Sequence, residues 1–568
     1  MPTLDFKGKQ FVYAHHLTVP FRQMNVDAKK SMPKDGKPSL DDNLIIHGDN
    51  LHALKALLPK YAGKVKCIYI DPPYNTGNEG WCYNDNVNAP LIREWLKDSA
   101  NPVDYEDLER HDKWLSMMWP RLQLLKELLS EDGVLFISID DNESAHLIRI
   151  CDDIFGEENF FCQVIVRANS RGQTYKQIAK THEYLLVYTR NPEVELNELE
   201  KVGERDDLDL EDEIGRFNVR ELRNRNPKFG KHNRPNLFYP VYVNPDTEDS
   251  DSFCSVSLAS DKKHSERVEP FNSEGKASCW RWGQEKAKEN ISVNTRKSNL
   301  VARKRQDGSF AIYEKYRKST YKPKSIWDDN KYLTETGTVE VNALGIKDFP
   351  FPKPKGLIED CIRLACGPED IVLDSFAGSG TTAHAVLALN KEDEGNRKFI
   401  LVECENYADK TTAERVRRVI KGVKVAKDDD LKKGLGGSFT FCELGDEINI
   451  ENLLKGDKLP SYDELARYAF YTATGQTLDK VKHGADFFVG ETENYRVHVI
   501  YEPDTHFLRS QESALNLPLA ERISKGLEES KKTALVFATH KFMGQKELSE
   551  MGITYCQLPY AIHRVMGG

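Results

Sequence analysis

Short apolar, β-branched runs alternate with amphipathic stretches over two separate parts of the chain. In the first part LIIH (44–47), VKCIYI (65–70), GVLFISI (133–139) and YLLVYT (184–189) read as buried strands. Between them WLSMMWPRLQLLKELL, from Trp114 to Leu129, has helical spacing, with a proline expected near a turn or kink. In the second part IVLDSF (371–376) and KFILVE (398–403) flank a helix, and TALVFATH (533–540) belongs to a later strand-and-helix pattern. Strands alternating with helices predict an α/β fold: a mixed, mostly parallel twisted sheet of Rossmann-like type, covered on both faces.

The pattern breaks at identifiable places. Residues 1–40 read as an irregular N-terminal arm. Residues 193–213 hold 11 acidic side chains against two basic ones, Lys201 and Arg205, and read as a solvated linker. The expected division is therefore 1–40 arm, 41–192 first half of the α/β domain, 193–213 acidic linker, 214–325 inserted basic domain, 326–425 second half, and 426–568 a C-terminal α/β accessory domain.

Composition narrows the class. At 568 residues the chain exceeds a single core. With 39% hydrophobic and 30% charged residues it is globular rather than disordered or fibrous. The start, MPTLDFKGKQ, lacks a secretory core, and no apolar run approaches the roughly 18 residues a membrane helix needs. Eleven cysteines occur without a CxxC pair, and the Cys361–Cys366 spacing suits neither a zinc ribbon nor a redox motif, so reduced thiols, a cytoplasmic location and no metal are expected. The net charge of −10 argues against a simple polyanion binder. From Gly215 to Asn330, however, 24 Lys/Arg stand against 15 Asp/Glu, a local +9 that leaves −19 for the rest. A basic segment inside an acidic chain makes a polyanion site without general stickiness.

Two motifs carry chemistry. Asp71-Pro72-Pro73-Tyr74 follows the VKCIYI strand, beyond whose carboxyl end ligands bind in doubly wound sheets. A carboxylate and a rigid backbone carbonyl can accept both N–H bonds of an aromatic amine, turning its lone pair outward. Prolines fix that backbone, and the tyrosine ring can stack on a flipped base. An ordinary turn is the plain alternative. The second motif, Asp374-Ser-Phe-Ala-Gly378-Ser-Gly380-Thr381-Thr382-Ala383, fits a strand–glycine turn–helix plan for a nucleotide, and Glu403 ends the next strand where it can bond ribose hydroxyls. NAD fits this turn almost as well as S-adenosylmethionine, whereas a P-loop fails for want of a following lysine. The Asp-Pro-Pro-Tyr motif favours the sulfonium cofactor.

In the basic block Arg216, Arg220, Arg223, Arg225, Lys228, Lys231, Arg234 and Arg281 are candidate DNA-binding residues, beside a further basic run at 296–305. Trp280 and Trp282 suit core packing more than base stacking. His146, His182 and His384 lack partners at metal spacing, and Asp140-Asp141 reads as a helix cap rather than a magnesium site.

Together these pieces resemble the β-group of amino-methyltransferases acting on DNA, in which the catalytic half precedes the cofactor half. His47-Gly48-Asp49-Asn50, Asp71 to Gly77, DGVLFISIDDNE (132–143), THEYLLVYTRN (181–191) and FPFPKPKGLI (349–358) follow that family's permuted motif order. The long insert and the C-terminal unit ending in QLPYAIHR (557–564) look like modification subunits of type III restriction–modification systems. NEGWCYNDNVNAP, after Gly77, is longer and more polar than the family pattern. The resemblance covers 40–425 strongly and 426–568 loosely. It implies methylation of adenine N6 in double-stranded DNA. S-adenosylmethionine would be bound by Asp49 (beside its adenine), Lys353, Asp374, Phe376, Gly378, Ser379, Gly380, Thr381 and Glu403. Asp71 and the main-chain carbonyl next to Tyr74 would hold the amine. A homodimer and a restriction subunit with helicase and nuclease activities are implied as partners. Rival readings are cytosine N4 methylation, where Ser replaces the leading Asp, RNA or protein amide methylation, and a DNA-binding subunit with a vestigial site.

Overall fold

The computed structural model describes residues 4–34, 36–76, 110–172, 177–201, 208–272, 274–347, 349–424, 426–449, 452, 459–528 and 530–558. The chain divides into two units, Met1–Asn197 with Lys324–Gly568, and Glu198–Pro323.

Ten strands of the larger unit form one sheet: β1 Arg22–Val26, β2 Leu44–His47, β3 Val65–Ile70, β4 Leu129–Ile139, β5 Phe160–Arg167, β6 His182–Thr189, β7 Ile326–Trp327, β8 Ile371–Asp374, β9 Lys398–Glu403 and β10 Thr440–Glu447. Their order is β1-β10-β2-β9-β8-β3-β4-β6-β5-β7. The central pairs β2–β9, β9–β8, β8–β3 and β3–β4 are all parallel. Antiparallel pairs occur where β6 meets β4 and β5, and at β1–β10. The sheet is thus mixed and mostly parallel, as the alternation predicts. Both faces of the central strands are covered, which is why β3 and β8 are apolar at successive positions.

Helices α1 Asn50–Tyr61, α2 Arg110–Leu128, α3 Ser144–Phe155, α4 Lys355–Ala365, α5 Thr381–Asp393 and α6 Glu414–Lys421 accompany it. Pro120 lies inside α2 rather than at a turn. Trp114, Met118 and Trp119 before it and Leu122, Leu124 and Leu125 after it are buried, and that packing outweighs the one backbone hydrogen bond a proline removes.

The expected boundaries shift at both ends. The arm is not wholly irregular: its β1 pairs with β10, which itself comes from the stretch assigned to the accessory domain. Arg22–Val26 has no clean alternation, because an edge strand buries little of either face. Beyond β10, strands Phe488–Glu491, Tyr495–Val499, Thr533–Ala538 and Ile553–Gln557 make a separate sheet with its own core. Of QLPYAIHR only Gln557 and Leu558 fall within the described residues, and NEGWCYNDNVNAP lies outside them.

The smaller unit contains a four-stranded sheet, Leu300–Lys304, Phe310–Tyr316, Arg216–Glu221 and Leu210–Glu211 in spatial order, and a core around Trp280, Leu222 and Val241. Trp280 is core, its indole donating to Tyr239 O at 2.7 Å, and Trp282 packs at the rim of that core. The acidic stretch is more than a solvated linker. Leu199–Glu200 pairs with Thr320–Tyr321, and Asp212 is buried against Lys315 Nζ and Arg317 Nη2, each at 2.7 Å. The partners of this acid lie more than a hundred residues away, beyond the reach of local charge patterning.

Among the described residues no helix is long and apolar enough to cross a membrane, and ten cysteines are free. The Asp212–Lys315 pair gives a stability test. Asp212→Ala strands a cation whose side chain is 1% exposed. It should destabilise the unit by roughly 3 kcal/mol in urea unfolding. Glu198→Ala, which removes an exposed partner of Lys318, should leave the midpoint in place.

Candidate active site

The parallel pairing of β3 with β8 runs Val372 against Cys67 and Leu373 against Ile68. Asp374 and Asp71 therefore emerge from neighbouring strands at the same carboxyl edge. The two sequence motifs share one cleft wall.

The loop after β3 is fixed from below. Trp114 Nε1 donates to Pro73 O at 2.7 Å. Asn75 is buried with φ 58°, a left-handed conformation that its side-chain bonds support. Its Nδ2 donates to Glu143 Oε1 at 2.5 Å and to Arg110 O at 3.2 Å. Glu143 is buried and also accepts from His111 Nδ1 at 2.6 Å and His146 Nδ1 at 2.8 Å. His146 thus does have partners at metal-ligand spacing: the ligand atoms of His111, Glu143 and His146 lie within 4.8 Å of one another. Three N–H donors already occupy the carboxylate, so the group acts as a brace for Asn75. Bonding to Glu143 holds the His146 imidazole above its ordinary pKa.

Lys353 joins the halves. Its carbonyl accepts from Thr381 Oγ1 at 3.1 Å, touching the glycine turn, while its side chain enters the catalytic loop. There Nζ donates to Tyr74 OH at 2.6 Å and to both Glu183 oxygens at 2.7 and 2.8 Å, and lies 3.4 Å from Asp71 Oδ1. Tyr74 OH donates to Glu183 Oε2 at 3.0 Å. Asp71 Oδ1 has no hydrogen-bond partner. Desolvation pushes the Asp71 carboxyl up to about 6, against the pull of Lys353. Burial works to lower the Lys353 ammonium, but Asp71 and Glu183 more than offset it and hold it above its ordinary value.

On the cofactor side, Gly378 and Gly380 have φ 51° and 79°. A Cβ on Gly378 would meet only Phe349 Cζ at 3.6 Å and Phe376 O at 3.9 Å, whereas one on Gly380 would lie 3.0 Å from Thr412 O. The first glycine leaves the turn open, and the second permits the close approach of Thr412. Asp374 Oδ1 accepts from Phe376 N at 3.0 Å and Oδ2 from Thr382 Oγ1 at 2.5 Å, while the hydroxyl of buried Ser375 is unpaired. Glu403 accepts from Gly378 N at 2.7 Å and Glu405 N at 2.9 Å. Burial raises both Asp374 and Glu403 to about 7. Asp49 caps α1, accepting from Leu51 N at 2.8 Å, and meets Arg121 at 3.3 Å. An open glycine turn and a spare hydroxyl at the strand ends suit a nucleoside cofactor.

Several residues escape the sequence reading. Arg121 is an ion inside an apolar helix face, and Glu183 interrupts an apolar strand; either anomaly is visible in the sequence. Arg415 gives no such signal. It is buried under the turn, donates to Ser379 Oγ at 2.8 Å and Thr381 Oγ1 at 2.7 Å, and burial lowers it to about 10. It also bonds His384, which burial keeps neutral.

In the smaller unit the expected DNA-binding residues sort into two groups. Arg220 and Arg281 are paired with buried Glu314, and Arg223, Arg225 and Arg305 surround buried Glu221. Arg216 donates to Leu208 O at 2.5 Å. Lys228, Lys231 and Arg234 lie on an exposed loop, where Lys231 and Arg234 sit over Phe238 and Phe229.

An Asp-Pro-Pro-Tyr loop beside a nucleotide-type glycine turn defines an amino-methyltransferase site. A family model described as DNA methylase matches residues 65–414, and the chain belongs to that family. It is a DNA methyltransferase, with S-adenosylmethionine as methyl donor. The chain is 34% identical to the Mod subunit of the type III restriction–modification enzyme EcoPI of Escherichia phage P1, over 79% of this chain and 73% of that one. It is 35% identical to the type II methyltransferase M.KpnI of Klebsiella pneumoniae, over 68% and 86%. With the EcoP15I Mod subunit of Escherichia coli it shares 32% identity over 71% and 64%.

Gly380→Ala tests the turn. The left-handed φ and the nearby Thr412 carbonyl should cost about 1–3 kcal/mol of stability in denaturant unfolding and weaken cofactor binding in calorimetry.

Proposed function

We propose that the chain methylates N6 of adenine in duplex DNA as the modification subunit of a type III restriction–modification system. The observation that carries this reading is the adjacency of the partly exposed Asp71 carboxylate and the glycine turn. The leading Asp favours adenine over cytosine N4, and the type III Mod relatives support the system assignment. A restriction subunit, a second copy of this chain and a cytoplasmic location belong to the same reading.

The exposed side of the Asp71 carboxylate accepts one amino N–H of the flipped base. The second acceptor is the carbonyl of Pro72 rather than that of Pro73, because the Trp114 indole occupies the latter. Tyr74 stacks on the ring. When bound, S-adenosylmethionine supplies a methyl group on a sulfonium that leaves as a neutral thioether. Asp374, Phe376, Gly378, Ser379, Gly380 and Thr381 would hold it, with Glu403 to bond its ribose hydroxyls and Asp49 to meet its base. The chain's contribution is alignment and a desolvated acceptor, with no covalent intermediate.

Asp71→Ala should lower transfer of labelled methyl groups by at least about 100-fold while cofactor affinity is retained. Full activity would sink the mechanism. Because the ionised carboxylate is much the stronger acceptor of N–H, single-turnover rates at saturating cofactor should climb with pH through about 6 and level off above it. On the DNA side, Lys228→Ala with Lys231→Ala and Arg234→Ala should flatten the salt dependence of binding by roughly one unit of slope for each phosphate no longer neutralised. Arg223→Ala, whose charge Glu221 already meets, should change it less.

A further inference from the structure

Of the residues expected to hold the cofactor, Lys353 has its side chain in a different place. Its ammonium lies among Tyr74, Glu183 and Asp71 and reaches the catalytic loop from the segment just before α4. Glu183 comes from β6, so three separate parts of the chain meet at one charge. The side chains of Lys353 and Glu183 are each 11% exposed, too enclosed for a casual surface pair.

We infer that Lys353 and Glu183 form a positioning pair, in which Lys353 holds Asp71 as the carboxylate that accepts the amino N–H and both residues clamp the Tyr74 hydroxyl so that its ring keeps one orientation. This inference rests on the methyltransferase reading of the site and assigns Lys353 to base handling instead of cofactor binding. The geometry fits each part. Tyr74 OH receives a bond from Lys353 and gives one to Glu183, which uses both functions of the hydroxyl and fixes the ring from its outer end. Asp71 Oδ1, without a hydrogen bond of its own, has the Lys353 charge 3.4 Å away. Glu183 takes two of the ammonium's donors and so keeps Lys353 from closing onto Asp71, whose side chain stays 27% exposed on the side away from its buried Oδ1 and can meet a base there. A lysine paired to Asp71 alone would neutralise and block it.

The charged and titratable groups facing Asp71 are Lys353, Glu183 from β6, Tyr74 on its own loop, Tyr69 on β3 and Asp374 on β8. The two members of the pair act on it with opposite sign: Lys353 favours its ionised form and Glu183 opposes it. Opposite shifts in two variants are a signature that a merely structural role would not give.

The test uses the full chain, tritiated S-adenosylmethionine and whole-genome-amplified DNA, whose base amino groups are unmethylated. Lys353→Met, Lys353→Arg and Glu183→Gln are compared by cofactor affinity, thermal midpoint and single-turnover rate against pH. Lys353→Met should lower the plateau rate about 100-fold with cofactor affinity unchanged. Its pH limb should move to higher pH, whereas that of Glu183→Gln should move to lower pH. Lys353→Arg should keep the limb near its original place. Should Lys353→Met fold poorly, the Arg and Gln variants still decide the matter. Loss of cofactor affinity in Lys353→Met with transfer intact at saturating cofactor would overturn the inference, as would limbs that stay put in both charge-removing variants. Whether the unaltered chain marks adenine, read by digesting the labelled DNA to nucleosides, bears on the parent reading alone.

Discussion

One strand pairing determines the rest: β3 lies directly beside β8 and runs in the same direction. Neighbouring strands sit about 4.8 Å apart. That spacing brings Asp71 and Asp374, some three hundred residues apart in sequence, to one edge of the sheet. The buried apolar faces of both strands hold the pairing, since sliding either strand would pull its side chains out of the helices packed on both sides of the sheet. The chemistry at the edge inherits its precision from packing below it.

Above that pairing the wall is acidic. Burial raises Asp71, Asp374 and Glu403 alike, and Lys353 sets a cation beside the first of them. Each of these acids is satisfied differently. Asp374 and Glu403 bind backbone amides of the turn, which shapes it, while Asp71 faces the Lys353 charge and keeps its side chain partly exposed. A cleft of this kind accepts ligand groups that bring positive charge or N–H donors and disfavours anions.

Much of this is legible in the residues. The strands of the central sheet, the two motifs and the basic block follow from local apolar patterning and glycine chemistry, both short-range signals. Long-range compensation is harder to read. Asp212 resembles every other linker acid in the sequence, and only the fold supplies Lys315 and Arg317 as its partners. Lys353 reads as a cofactor ligand because its neighbours in sequence touch the turn, though its side chain runs the other way. The arginines of the basic block show the same limit: Glu221 and Glu314, single acids in strands, gather five guanidinium groups that composition counts as free. At the N-terminal end β1 escapes detection because edge strands carry little apolar alternation.

The ladder between Leu199–Glu200 and Thr320–Tyr321 has a consequence of another kind. It staples the entry and exit of the smaller unit to each other, so the chain leaves that unit beside the place where it entered, whatever lies between. Such an insert can be exchanged for one of different length and sequence without re-threading the larger unit.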